Sequence, residues 1–242
     1  MSRRARLAIF APALVGFAAL LVWGVAGLPH FGHYRGPYGH VVNRIVIPER
    51  HVSNAVNATT YDIRGFDTMG EEFILFAAVT GVVLLLRGSG RTRAEKDDVV
   101  RSDVVRAAGA VAPAVVVLVG LWVAAFGFVT PGGGFQGGVA VAGGAAVLFV
   151  TLGYRAWSRL GNESILDPLE GLGAGGYVVV GVAALASGLP FLTNIFGFGV
   201  AGTLRSGGSA ELLNWAAAIE VAAANLILMT EFVEQYLVRG RS

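Results

Sequence analysis

The residues of this 242-residue chain with chemical potential are carboxylic acids set inside or beside long apolar runs. Glu220 is the deepest. It lies about nine residues into the run 211–235, roughly 13 Å along a helix. No lysine or arginine of its own run can pair with it, and a carboxylate facing lipid at that depth is costly. Glu220 must therefore meet protein, trapped water, a cation, a proton or a partner helix. Two readings stay open for it: a carboxyl hydrogen-bonded between helices, or a member of an ion or proton route. Glu231, eleven positions later and near the same azimuth, reads with Glu234 as a solvated residue at the membrane surface. A second group is Tyr61-Asp62-Ile63-Arg64-Gly65-Phe66-Asp67-Thr68-Met69-Gly70-Glu71-Glu72, five charges at the mouth of an apolar run. Thr68 to Glu71 fits a capping box that satisfies the free N–H groups of a helix start, where acids also favour the helix dipole. Arg64 can pair with Asp67 or Asp62. The alternative is that Asp67, Glu71 and Glu72 lie at or below the membrane surface and line a hydrated path, as acids inside membranes usually do.

Other chemistry is weakly supported or excluded. There is no cysteine, so disulfides, thiolate metal sites and iron–sulfur clusters are absent. All four histidines, His30, His33, His40 and His51, lie between the first two apolar runs, at spacings that fit no ligand pattern. No metal or cofactor is expected. Gly132 to Gly137 match G-x-G-x-x-G literally, but that fingerprint needs a strand and a βαβ unit, which two flanking membrane helices do not provide. Asn57-Ala58-Thr59 matches a glycosylation acceptor, a motif frequent by chance. No nucleotide, nucleic acid or catalytic constellation is implied, and no enzyme is expected.

The elements that must position the acids are membrane helices. The chain is 55% hydrophobic and 14% charged, against about 25% charged for soluble domains. Its apolar blocks have the length, about 20 residues, that crosses a bilayer. The fold expected is all-α: a polytopic helix bundle with six spans, near 7–28, 70–87, 107–128, 134–154, 174–190 and 211–235. Alternating spans put thirteen basic residues on one side, including Arg3, Arg4, Arg6, Arg87, Lys96, Arg101, Arg155 and Arg239. Five, Arg35, Arg44, Arg50, Arg64 and Arg205, fall on the other. The positive-inside rule then places both termini in the cytoplasm; the location expected is the plasma membrane, as a multi-pass protein. The first run is read as an uncleaved anchor rather than a signal peptide. The mixed-charge link 88–106 divides the sequence into a two-span unit, 1–87, and a four-span unit, 107–242.

Between spans three and four stands Thr130-Pro131-Gly132-Gly133-Gly134-Phe135-Gln136-Gly137-Gly138. Pro131 ends or blocks the preceding helix. Gly134 and Gly138 make a small-xxx-small pair that Ala142 extends, a face for close helix packing. Spans three and four carry no ionisable residue between Ala107 and Tyr154. Thr130 and Gln136 are read as the hydrogen-bonding groups that tie this hairpin to other helices. The hairpin reads as packing and assembly, not as an ion path.

TPGGGFQGG, together with Pro190-Phe191-Leu192-Thr193 at the end of span five, resembles the B subunit (MrpB/MnhB) of multisubunit Mrp-type Na+/H+ antiporters. The stretch DIRGFDTMGEE resembles a motif in the C-terminal region of the antiporter's large A subunit. It is also similar to a motif in a small two-helix subunit of membrane-bound hydrogenases, whose first helix ends in a run like Leu28-Pro29-His30-Phe31-Gly32. The likeness covers the chain from about Leu28 to Tyr236. By it, Asp67 and Glu71 occupy the family's acidic positions, with Ile63 and Met69 as departures, and Glu220 stands where the family usually has Asp. The resemblance implies two small subunits fused into one accessory subunit. Its partners would be large A and D type subunits and other small subunits, and its transported ions Na+ and H+. The only lysine, Lys96, is in the link, so the chain alone holds no lysine-based proton relay. The alternatives are a membrane subunit of a hydrogenase or other redox-driven pump, or a structural scaffold.

Overall fold

A computed structural model describes residues 3–28, 36–87 and 102–239. The link residues 88–101, together with Pro29 to Gly32 and the histidines His30 and His33, lie outside the described residues. The described chain is helical, without strands apart from one isolated antiparallel bridge, Gly199 to Ser206. Five helices are long and apolar enough to cross a membrane. They are α4 (Gly65–Leu86), α5 (Asp103–Ala125), α6 (Gly134–Leu152), α8 (Glu163–Ala186) and α9 (Ser209–Arg239). A sixth helix, α1 (Arg3–Ala26), has a shorter apolar part, Phe10–Ala26, that is exposed on all sides. Short helices α2 (Pro37–Ile45), α3 (Ala55–Ala58) and α7 (Tyr154–Trp157) complete the set. The packing forms two units, Met1–Val41 and Val42–Ser242.

In the larger unit α9 is central, with 56% of its apolar window buried against 11% for α4. It packs on α4, α6 and α8, and α5 packs on α6. The reason lies in its composition: Ala216, Ala217, Ala218, Ala222, Ala223 and Ala224 keep it thin, so several helices approach its backbone. Gly138 of α6 meets it directly: a Cβ there would lie 2.8 Å from the Ala218 carbonyl and 2.9 Å from Val221 Cβ. Gly134 abuts the Asn214 carbonyl. The opposite face of α6 serves α5, where a Cβ on Gly137 would sit 2.7 Å from the Gly120 carbonyl.

Three boundaries differ from the sequence reading. α8 begins at Glu163, eleven residues before 174. Asn162 caps it by accepting the Ser164 N–H at 3.1 Å, and Pro168 is carried inside the helix. α5 stops at Ala125, short of Pro131, in a run of turns rather than at the proline. α4 begins at Gly65, so Thr68 is already helical, and no side chain caps the start. The capping box therefore does not form. The Thr68 hydroxyl instead donates to the Thr60 carbonyl at 2.6 Å, tying α4 to the wide helical turn Thr59–Ile63.

The glycine turn between α5 and α6 is held by asparagines. Asn54 Nδ2 donates to the carbonyls of Gly127, Thr130 and Gly132 at 2.7, 3.0 and 3.3 Å. Its Oδ1 accepts from the N–H groups of Val56 and Asn57, capping α3. Gly132 and Gly133 take φ of 150° and 152°, which only glycine adopts readily. Asn214 of α9 accepts from the Gly134 N–H at 2.7 Å and from Asn57 Nδ2 at 3.2 Å, and donates to the Ala124 carbonyl at 3.0 Å. Thr130, by contrast, donates within its own turn, to the Phe126 carbonyl, and Gln136 is exposed. The expected tie through Thr130 and Gln136 is thus made by Asn54, Asn57 and Asn214. Asn57 is 3% exposed, which removes it as a glycosylation acceptor.

Candidate functional site

α4 presents one buried stripe, Gly65, Thr68, Glu72 and Val79, at helical spacing. Glu72 is on that stripe and fully buried. Glu71 and Asp67 are rotated off it by about 100° each and are exposed. Asp67 pairs with Arg64 on the same surface. Asp62 takes a different partner, Arg50 at 3.4 Å. Burial pushes the Asp62 carboxyl up from its ordinary value, and the Arg50 charge opposes that shift.

Glu72 meets Glu220. Each is 0% exposed, and their carboxyl groups stand next to each other between α4 and α9. Among the described residues none of their four oxygens has a hydrogen-bond partner at ordinary length. Two negative charges cannot share a dry interior without compensation. A proton, a cation or water has to accompany them. Two phenols stand nearby. Tyr177 donates to the Gly65 carbonyl at 2.9 Å. Tyr61 sits at the start of α6 beside Gly134 and Phe135, where burial first and then the Glu72 carboxyl push its phenol up, so it stays protonated.

A row of charge continues from this pair toward the end of the bundle where α4 ends at Arg87. Gly173 of α8 lies against Glu220, its absent Cβ 2.5–2.7 Å from the Glu220 backbone and Cβ. Glu170, one turn further in on the same face, is 6% exposed, and its Oε1 has no hydrogen-bond partner. One more turn brings Asp167, gripped by Arg87 through Nη1 at 2.6 Å and Nη2 at 2.9 Å. Arg87 Nε also donates to Glu231 at 2.6 Å and stands 3.7 Å from Glu163. Asp167 and Glu231 hold its proton on more firmly, against burial. Glu231 is 2% exposed, so it is a buried ion-pair member rather than a solvated surface acid. The sequence reading named neither Glu170 nor this Arg87 cluster. The i, i+3 spacing of Asp167, Glu170 and Gly173 was the available signal.

His40 and His51 join no cluster of metal-ligating side chains among the described residues. The ring of His51 instead bonds the Gly199 carbonyl at 2.5 Å, so the loop 194–208 between α8 and α9 folds back on its own chain. Arg50 lies 5.3 Å over the Phe198 ring, which reinforces that contact.

A family model described as a domain related to the MnhB subunit of Na+/H+ antiporter matches residues 104–227, from α5 through the Glu220 region of α9. The chain belongs to this MnhB-related family. An uncharacterized protein of Methanocaldococcus jannaschii is 28% identical over 193 residues, 73% of this chain and 72% of that protein. Among solved structures, a chain of the membrane-bound sulfane sulfur reductase, an archaeal respiratory membrane complex, matches with TM-score 0.74 and 28% identity. It covers 98% of this chain and 99% of its own. A chain of the Mrp complex from Dietzia sp. DQ12-45-1b matches with TM-score 0.73 over 96% of this chain, but over 26% of its own length. At 20% identity that is a likeness of fold. The MnhB-related match thus covers α5 to α8 and α9 as far as residue 227, and Glu72, on α4, reaches Glu220 from outside the matched range.

Proposed function

We propose that this chain is an accessory subunit of a multisubunit monovalent-cation/proton antiporter complex of the plasma membrane, with Na+ as the cation. In this reading the Glu72–Glu220 pair lines part of the ion or proton route. The observation that carries it is the pair itself: two fully buried carboxyls set against each other, one of them, Glu220, within the MnhB-related domain and the other, Glu72, reaching it from α4. Asp67 and Glu71 support an interface with a large A or D type subunit. They are exposed on α4, about 3 and 9 Å along a helix that is otherwise apolar and open on that side, and acids so placed need a protein or aqueous neighbour. The chain performs no chemistry of its own. Reconstituted alone, it is expected to give no sodium-dependent proton flux.

A second reading is favoured by one observation, the end-to-end likeness to a chain of an archaeal respiratory complex: a subunit of a redox-driven relative. Purification through a tag on this chain, in mild detergent, separates the two. Co-purifying large antiporter-type subunits without redox proteins support the antiporter. Chains carrying iron–sulfur or nickel–iron centres favour the redox relative. Recovery of this chain alone contradicts both.

A further inference from the structure

Glu170 is buried, its Oε1 has no hydrogen-bond partner, and it lies outside every motif that the sequence singled out. It stands between two charged sites. On one side, Gly173 brings α8 into backbone contact with α9 at Glu220, and Glu170 follows one turn inward. On the other side is Asp167, whose carboxylate is held by both Nη atoms of Arg87. Glu220 and Glu231 are eleven residues apart on α9, about 16 Å along the helix. That is too far for one proton transfer, which needs hydrogen-bond reach or one intervening water. The facing helix α8 places Glu170 within that gap. The salt bridges of Arg87 go to Glu163, Asp167 and Glu231, and Glu170 is in none of them.

We propose that Glu170 is the inner relay of the route, taking a proton from the Glu72–Glu220 pair and releasing it toward the inner surface beside Arg87. The transfer balances simply. A proton leaves the Glu220 carboxyl for the Glu170 carboxylate through one water, and its release to inner water regenerates the carboxylate. Arg87 engages Asp167 and Glu231 in ion pairs at the exit, so Glu170 is the acid of the row that Arg87 leaves without a salt bridge. This rests on the reading of Glu72 and Glu220 as route residues.

The test compares Glu170→Gln, Glu170→Asp and Glu220→Gln in the assembled complex in inverted vesicles, with antiport read from a pH dye. Glu170→Gln is expected to lower turnover about a hundredfold or more, the lower range for loss of a proton-transfer group. Glu170→Asp, which keeps a carboxyl, is expected to recover most of it, a rescue that loss of packing would not show. Full activity in Glu170→Gln with Glu220→Gln inactive would overturn the relay and leave the proposed function standing. Full activity in both would end both. Should Glu170→Gln not assemble, the wild-type complex carries the test. A hydrophobic carbodiimide, which couples to carboxyls that take up a proton, is expected to label Glu170 as well as Glu220 in mass spectra of this chain. Labelling of Glu220 with Glu170 untouched contradicts the relay.

Discussion

Replacing Gly138 by Leu measures how closely α6 and α9 must approach. The first added atom, Cβ, would lie 2.8 Å from the Ala218 carbonyl, 2.9 Å from Val221 Cβ and 3.1 Å from the Ala222 nitrogen. Two of these are backbone atoms of the central helix and cannot swing aside. Comfortable separation is about 3.5–4.0 Å, so the helices must part by roughly 1 Å for Cβ alone, and further for the rest of Leu. Overpacking of that kind costs typically 1–3 kcal/mol, about 5- to 150-fold in a stability equilibrium. The control is on the same helix: Gly143 has nothing within 4 Å of its would-be Cβ. Recovery of the intact complex, by size-exclusion chromatography after detergent extraction, should fall sharply for Gly138→Leu and remain normal for Gly143→Leu. Any Gly138→Leu complex that does assemble should transport normally. Equal recovery of the two variants would refute the packing argument.

Asn214→Leu leaves the Gly134 N–H and Asn57 Nδ2 without the acceptor they have now, at about 1–3 kcal/mol for each buried polar group. A clear drop in the unfolding midpoint of the complex is expected, and an unchanged midpoint contradicts the network. Arg50→Gln tests Asp62. Burial raises the Asp62 carboxyl and Arg50 opposes this, so the fold keeps this proton to higher pH than the unfolded chain does. Its stabilising share is complete in acid and lost as pH climbs through the shifted value. Without Arg50 the midpoint should therefore fall more at about pH 7 than at about pH 4, and an equal fall at both would contradict the assignment.

Long apolar blocks showed the membrane helices directly, because bilayer thickness dictates their length. Helix starts were less legible where polar residues begin a helix. Glu163 to Asp167 look like loop, yet Asn162 caps them into α8. Thr68 to Glu71 look like a cap, yet they are inside α4 and Thr68 reaches back to Thr60. The acids show a finer limit. Glu71 and Glu72 are equivalent by type, and only the buried stripe through Gly65, Thr68 and Val79 selects Glu72. Glu220 was visible because it interrupts an apolar run. Glu170 and Arg87 were not, because their meaning depends on the register of α8 against α9 and on a contact 80 residues apart, Arg87 with Asp167. The asparagine clamp on the glycine turn is long-range in the same way: Asn54 acts across 73 to 78 residues.

Antiport by the assembled complex carrying Glu72→Gln together with Glu220→Gln is the decisive measurement. Gln keeps the shape and the hydrogen-bonding capacity of Glu but removes its charge and its transferable proton. The complex should assemble at wild-type yield, since neither carboxyl makes a hydrogen bond of ordinary length that the fold depends on. Sodium-driven proton movement in vesicles should be lost or greatly reduced across the working pH range. Wild-type exchange from the double variant, at normal expression, would contradict any part for these acids in the ion route and leave the chain a scaffold.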